Sequence, residues 1–155
     1  IHSCTGDQRN IDAPHSDLRL ARAGALNISP TTTGAAVARG KVIPSLQGKI
    51  DGMAVRVPTP DVSLVDVVIY VERNTSIDEI NTLMKTAADT HLKNILEYSE
   101  EPIVSTDIIH NPHSSILDAA STMVNGRMIK LLSWYDNEWG YAQRVVDLLE
   151  LMAAE

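Results

Sequence analysis

The run Met128-Ile129-Lys130-Leu131-Leu132-Ser133-Trp134-Tyr135-Asp136-Asn137-Glu138-Trp139-Gly140-Tyr141 reads as a strand that turns into a helix. Met128 to Ser133 is a short apolar run consistent with a buried strand. Beyond the junction Val145, Leu148, Leu149 and Met152 recur at i, i+3, i+4 and i+7, the stripe of an amphipathic helix. The junction itself holds both tryptophans and two of the four tyrosines of a chain that has no Phe, beside two acids and an amide. Polar side chains between a strand end and a helix start are well placed to meet a ligand. The competing reading is a cap: Asp136 or Asn137 closes the helix and the rings cover the core.

Outward from this junction the pattern is mixed. Asn125-Gly126 marks a tight hairpin turn ahead of Arg127, preceded by short strands around Ile103-Val104-Ser105, Ser115-Ile116-Leu117 and Thr122-Met123-Val124. Ser76-Ile77-Asp78-Glu79 has the form of a capping box, so a helix is expected to start there. Its apolar face would carry Ile77, Ile80, Leu83, Met84, Ala87 and Ala88 to about Leu92. Met53 to Val57 and Val62 to Glu72 read as strands separated by Pro58-Thr59-Pro60-Asp61. Ala35 to Lys41 reads as a short helix with Thr33 as its N-cap. Gly6 to about Leu26 is a long polar segment carrying Arg9, Arg19 and Arg22, and loops of that length are usually functional. Strands joined by hairpins and interrupted by helices give an α+β class, a mostly antiparallel mixed sheet with helices packed on one face.

Composition narrows the function classes. The 155 residues suffice for one domain, and a single cysteine, Cys4, excludes an internal disulfide framework and fits a reducing compartment such as the cytoplasm. No apolar run approaches a membrane span. The net charge of -7 argues against general nucleic-acid binding, so an anionic ligand must be met by a local arginine cluster. The chain opens on Ile1-His2-Ser3-Cys4-Thr5 without a methionine, which reads as the end of a strand in a longer polypeptide. His2 and Cys4, two apart on a strand, face one side and invite a Cys–His dyad, although neighbours on one strand diverge and lone cysteines are often buried and inert. Thr5, Asp7, Arg19, Thr33, Gly34 and Arg56 include the hydroxyls, guanidiniums and glycine amide that phosphate requires. Surface ion pairs and turn chemistry explain the same residues equally well.

Several strings together carry a resemblance. Ile1-His2, Thr5-Gly6-Asp7-Gln8-Arg9, Asp17-Leu18-Arg19, Pro30 to Ala36, Gly52 to Pro60, Tyr98-Ser99-Glu100-Glu101-Pro102 and Ser133 to Tyr141 stand in the order seen in phosphorylating glyceraldehyde-3-phosphate dehydrogenases. The chain closely resembles their C-terminal catalytic domain, nearly end to end. The resemblance implies a glycolytic, cytoplasmic oxidoreductase, a homotetramer when full-length. It converts glyceraldehyde 3-phosphate, inorganic phosphate and NAD to 1,3-bisphosphoglycerate and NADH by way of a cysteine thioester. It implies that His2 is the base and that the nucleophilic cysteine lies upstream, so that Cys4 is not the nucleophile and this chain alone is inactive. Thr5, Asp7, Arg19 and Arg56 then match the substrate-phosphate site, Thr33 and Gly34 the inorganic-phosphate site, and Asn137 and Tyr141 the nicotinamide contacts, with no metal. The segment from Gly6 to Leu26 matches a loop that lines a neighbouring subunit's cofactor site, and Asp12-Ala13-Pro14 resembles NAD-using more than NADP-using members. His110-Asn111-Pro112-His113-Ser114 also resembles the related erythrose-4-phosphate dehydrogenases, but Thr31 to Ala36 keeps the glyceraldehyde-phosphate pattern. A non-catalytic anion-binding and assembly module is the reading from outside enzymology.

Overall fold

A computed structural model describes residues 1–34 and 42–154. They fall into two compact units, Ile1–Pro60 and Asp61–Glu155. The expected helix at Ala35 to Lys41 lies outside the described residues.

The first unit carries a small antiparallel sheet of β1 (Ser29–Thr31) and β2 (Ala54–Arg56), with Pro30 opposite Val55. His2 adds a single parallel bridge to Arg56, so the expected strand at the start of the chain is reduced to that pairing. His2 N–H donates to Val55 O at 2.8 Å, and Val57 N–H donates to His2 O at 2.9 Å. The polar segment after Thr5 has no regular element, and Asp12 staples it. Its Oδ1 accepts from Ala23 N–H at 2.8 Å and its Oδ2 from Arg22 Nε at 3.0 Å. The Ala23 amide first, then the Arg22 charge and hydrogen bond, hold the Asp12 carboxyl below its ordinary value against the opposing effect of burial. Leu20 and Ala23 are buried beneath this turn. Gly24 packs closely there, since a Cβ would stand 3.1 Å from Gln8 Cβ.

The second unit is the five-stranded mixed sheet, and it follows the expected α+β class. Its strands are β3 (Ser63–Tyr70), β4 (Leu96–Ser99), β5 (Ser115–Asp118), β6 (Met123–Asn125) and β7 (Met128–Tyr135). β3 pairs antiparallel with β7 over its whole length, from Ser63 opposite Tyr135 to Tyr70 opposite Met128. The other edge of β7 is shared: β5 pairs with it at Ser133 and Trp134, β6 at Met128 to Lys130. β4 lies parallel to β5. The β6–β7 hairpin turns through Gly126 at φ +61°, the glycine-first pattern of a type II′ turn.

Helix α1 (Ile77–Asp89) begins where expected, with Ser76 Oγ accepting from Glu79 N–H at 3.2 Å. The reciprocal half of the capping box does not form, because Glu79 turns instead to Arg73 and Thr75. Arg73 first, and then Thr75, pull the Glu79 carboxyl down to about 2. Ile80, Met84, Ala87 and Ala88 pack on Leu96, Leu117, Ile129 and Leu131, whereas Ile77 and Leu83 face out. The expected strand at Ile103 to Ser105 is instead the entry to α2 (Ser105–Ile108), started by Asp107 accepting from Val104 N–H at 2.8 Å. A local carboxylate cap there overrides the β-branched preference. Ile108 is buried with Val62 and Ile116 beside Trp134. α3 (Trp139–Ala153) forms as its periodicity predicts, but Val145, Leu148, Leu149 and Met152 are 41–65% exposed. No described helix is long and apolar enough to cross a membrane.

Candidate functional site

In the first unit, strand pairing brings His2, Thr5 and Arg56 together. Arg56 Nη1 stands 3.0 Å from His2 Nδ1 and 3.4 Å from Thr5 Oγ1. His2 Nδ1 also lies 2.9 Å from Ser3 O. Guanidinium can only donate and a carbonyl can only accept, so the two contacts belong to different tautomers. With a proton on Nδ1, the ring donates to Ser3 O and Nε2 is the basic atom. With the proton on Nε2, Nδ1 accepts from Arg56 and Nε2 is the donor. Nδ1 thus has a partner in either neutral tautomer, and the Ser3 contact is the one that leaves Nε2 free to act as a base. Arg56 Nε is buried with no hydrogen-bond partner, an unmet donor of the kind that clusters at functional sites. Cys4 Sγ donates to Val57 O at 3.4 Å, so its thiol is turned to the backbone.

A second group surrounds a cavity of about 550 Å³ lined by Asp17, Arg19, Pro30, Thr31, Thr32, Thr33, Gly52 and Met53. Asp17 Oδ1 accepts from Arg19 N–H at 2.9 Å, and Arg19 Nη1 donates to Pro30 O at 3.4 Å. Arg19 and Thr33 therefore line one cavity together with Thr31 and Thr32. Gly34 is exposed just beyond it. Asp7 goes elsewhere: its Oδ1 lies 3.5 Å from His15 Nε2 and its side chain is 61% exposed. The third guanidinium of the segment, Arg22, is held by Asp12.

In the second unit the two polar neighbours at the strand–helix junction point to different partners. Asp136, 1% exposed, is the cap. Its Oδ1 accepts from Glu138 N–H at 2.9 Å and Trp139 N–H at 2.7 Å, while Oδ2 accepts from His110 N–H at 2.8 Å. Burial alone would raise its carboxyl; the Trp139, His110 and Glu138 amides and the His110 charge outweigh this and hold it below the ordinary value. Asn137 turns the other way. Its Oδ1 accepts from Ser63 Oγ at 2.9 Å, and its Nδ2 lies 3.5 Å from Glu138 Oε1. Tyr141, in the first turn of α3, is 74% exposed. Gly140 lets that turn approach closely, since a Cβ would stand 3.2 Å from His113 O. His113 is fixed in turn by Glu97 Oε2 at 3.0 Å and Asn111 Oδ1 at 2.9 Å. Sequence reasoning missed Ser63 and His110, whose only signals are contacts with residues far along the chain. Among the described residues no group of three or more His, Cys, Asp or Glu could hold a metal ion.

Residues 1–137 match the family model described as glyceraldehyde 3-phosphate dehydrogenase, C-terminal domain. The chain belongs to this family. It is similar to glyceraldehyde-3-phosphate dehydrogenase 2 of Synechocystis sp., 57% identical over 153 residues, 98% of this chain and 45% of that protein. It is similar to glyceraldehyde-3-phosphate dehydrogenase of Geobacillus stearothermophilus, 55% identical over 156 residues, 100% of this chain and 47% of that protein. Glyceraldehyde-3-phosphate dehydrogenase 2 of Bacillus subtilis is 53% identical over 155 residues, 99% of this chain and 46% of that protein. The chain therefore spans about half the length of these curated relatives. The match to the glyceraldehyde 3-phosphate dehydrogenase C-terminal domain runs through both compact units, so His2, Arg56 and Asn137 all lie within it.

Proposed function

We propose that residues 1–155 form the catalytic domain of a cytoplasmic, homotetrameric, phosphorylating glyceraldehyde-3-phosphate dehydrogenase. The substrates are glyceraldehyde 3-phosphate, inorganic phosphate and NAD. The observation that carries this reading is the His2–Arg56–Thr5 cluster, in which an acid–base imidazole, a guanidinium and a hydroxyl lie within 3.0–3.4 Å contacts inside a chain of this family.

The residues divide the work by their chemistry. His2 takes a proton at Nε2 while Nδ1–H is held by Ser3 O, and returns the same proton from Nε2 with Nδ1–H unchanged. The acceptor of its help is a cysteine thiol supplied by sequence outside residues 1–155. Arg56 and Thr5 bind the phosphate of the substrate, whereas Arg19 stands on the Thr31–Thr33 cavity and Asp7 is turned to His15, so neither expected contact joins that cluster. Thr33 and Gly34, beside the Arg19 cavity, receive the attacking phosphate. The nicotinamide group fits the donor set at Asn137: a carboxamide held at one end by Ser63 offers the complementary pairing that a ligand carboxamide needs. When bound, NAD supplies the hydride acceptor. Asn137 would orient its carboxamide and Tyr141 would pack against its ring.

The test is NAD reduction by the full-length protein with glyceraldehyde 3-phosphate and phosphate, compared with the isolated 155 residues. The full-length protein is active, and His2→Asn lowers kcat by about 10²–10⁴-fold, the usual worth of a positioned acid–base group. The isolated residues are expected to be inactive, because the single thiol, Cys4, is turned to Val57 O. Reduction of NAD by the isolated residues, or an unimpaired His2→Asn enzyme, refutes the assignment. Parallel use of erythrose 4-phosphate separates the related substrate through kcat/KM. An inactive full-length protein that still binds phosphate would leave only the anion-binding module.

A further inference from the structure

Ser63 has a place in the fold that its own strand does not explain. It opens β3 opposite Tyr135 and is 2% exposed. Val62 before it has φ +70° and is 3% exposed. A β-branched side chain in the left-handed region is a true outlier, and such strain persists only where the surroundings over-determine it. Val62 N–H is held by Asp61 Oδ1 at 2.7 Å, and its side chain is packed with Ile108 and Ile116. The kink is thus fastened on both sides, and the next residue sends its hydroxyl across the sheet end to Asn137 Oδ1 at 2.9 Å.

An asparagine amide is nearly isosteric with its own flipped form, so its neighbours must decide which end is which. Here they agree. Glu138 is an acceptor only and lies by Nδ2; a flip would set oxygen against carboxylate. With Nδ2 toward Glu138, Oδ1 faces Ser63, whose hydroxyl can donate or accept and here donates. The Asn137 backbone is meanwhile pinned by Asp136, which holds the amides of Glu138, Trp139 and His110. Main chain and side chain of Asn137 are therefore fixed by separate devices. We propose that Ser63 is a positioning residue that holds the Asn137 carboxamide in this orientation, and through it the face of the nicotinamide presented for hydride transfer. This rests on the reading of Asn137 as a cofactor contact.

The experiment uses the full-length protein with four variants: Ser63→Ala, Ser63→Thr, Asn137→Ala, and the Ser63→Ala/Asn137→Ala pair. KM for NAD, kcat and thermal stability are measured. The face of transfer is read by NMR of the NADD formed from aldehyde-deuterated substrate. Losing one hydrogen bond that acts through Asn137 raises KM for NAD about fivefold. Asn137→Ala raises it further, and the double variant is no worse than Asn137→Ala alone. Ser63→Thr stays within about twofold of the parent because the hydroxyl remains. Stereochemical purity falls in Ser63→Ala and Asn137→Ala together. Unchanged KM in Ser63→Ala, additive effects in the pair, or a threonine variant as impaired as the alanine one overturns the role of Ser63. An unchanged KM in Asn137→Ala overturns the cofactor reading itself and this role with it. A lowered thermal midpoint with normal KM and normal stereochemistry reduces Ser63 to a structural residue.

Discussion

Replacing Asp136 by alanine removes a single buried carboxylate that organises three backbone amides. Two of them, Glu138 and Trp139 N–H, start α3, and both residues are exposed enough for water to replace the acceptor. Their loss falls in the ordinary range for an N-cap, about 1 kcal/mol. The third bond, from His110 N–H to Oδ2 at 2.8 Å, is made to a charged group and is worth about 2 kcal/mol. It also holds His110 at φ +66°, which a non-glycine residue adopts only under constraint. The expected destabilisation is therefore about 3 kcal/mol. Urea unfolding followed by tryptophan fluorescence is a direct assay, because Trp134 and Trp139 flank the site and are the only two tryptophans. Asp136→Asn should fall between parent and alanine, since an NH2 facing His110 N–H opposes donor to donor. The pH dependence has a definite sign. The folded carboxyl sits below its ordinary value, so its contribution is complete above about pH 4 and is lost as pH falls through the lower folded value. The parent and Asp136→Ala should converge in strongly acidic solution. A loss under 1 kcal/mol at neutral pH, or a difference that persists unchanged into strong acid, would refute this account.

Gly140→Ala should fail to give the usual helix gain of nearly 1 kcal/mol and should lower the thermal midpoint, because its Cβ would meet His113 O at 3.2 Å and that loop is tied to Glu97. A raised midpoint would show that the loop yields. Gly126→Ala should cost about 1 kcal/mol in chemical denaturation, since φ +61° at the hairpin turn excludes a Cβ cheaply; an unchanged midpoint counts against it. Glu79 is held at about 2 by Arg73 and Thr75, so its pairing contributes fully above the ordinary carboxyl value and is lost progressively as pH falls from there through about 2. NMR titration of the Glu79 side chain in the parent and in Arg73→Ala should show the value rise in the variant, and equal values would remove Arg73 as the cause.

The two longest helices and the central strand were legible because their signals are local. Ser76 and Glu79 lie within one turn, and the α1 stripe repeats every three or four residues. The Gly126 turn was legible for the same reason. Periodicity could not decide which part of that stripe would be covered: Ile80 and Met84 meet the sheet, while Ile77 and Leu83 do not. It failed at Val104, where the Asp107 carboxylate captures a backbone amide and starts a helix.

Sequence by itself determined the α+β class, the family strings and the residue types able to handle a phosphate or an amide. Tertiary structure alone decided which of them meet. His2 and Arg56 stand 54 positions apart, and Ser63 and Asn137 stand 74 apart. Asp7 carries the same chemistry as expected but goes to His15. Composition and spacing record local preferences within a turn or a strand. The pairing of side chains from distant segments depends on sheet register and on backbone strain at single residues such as Val62 and His110, which no local pattern encodes.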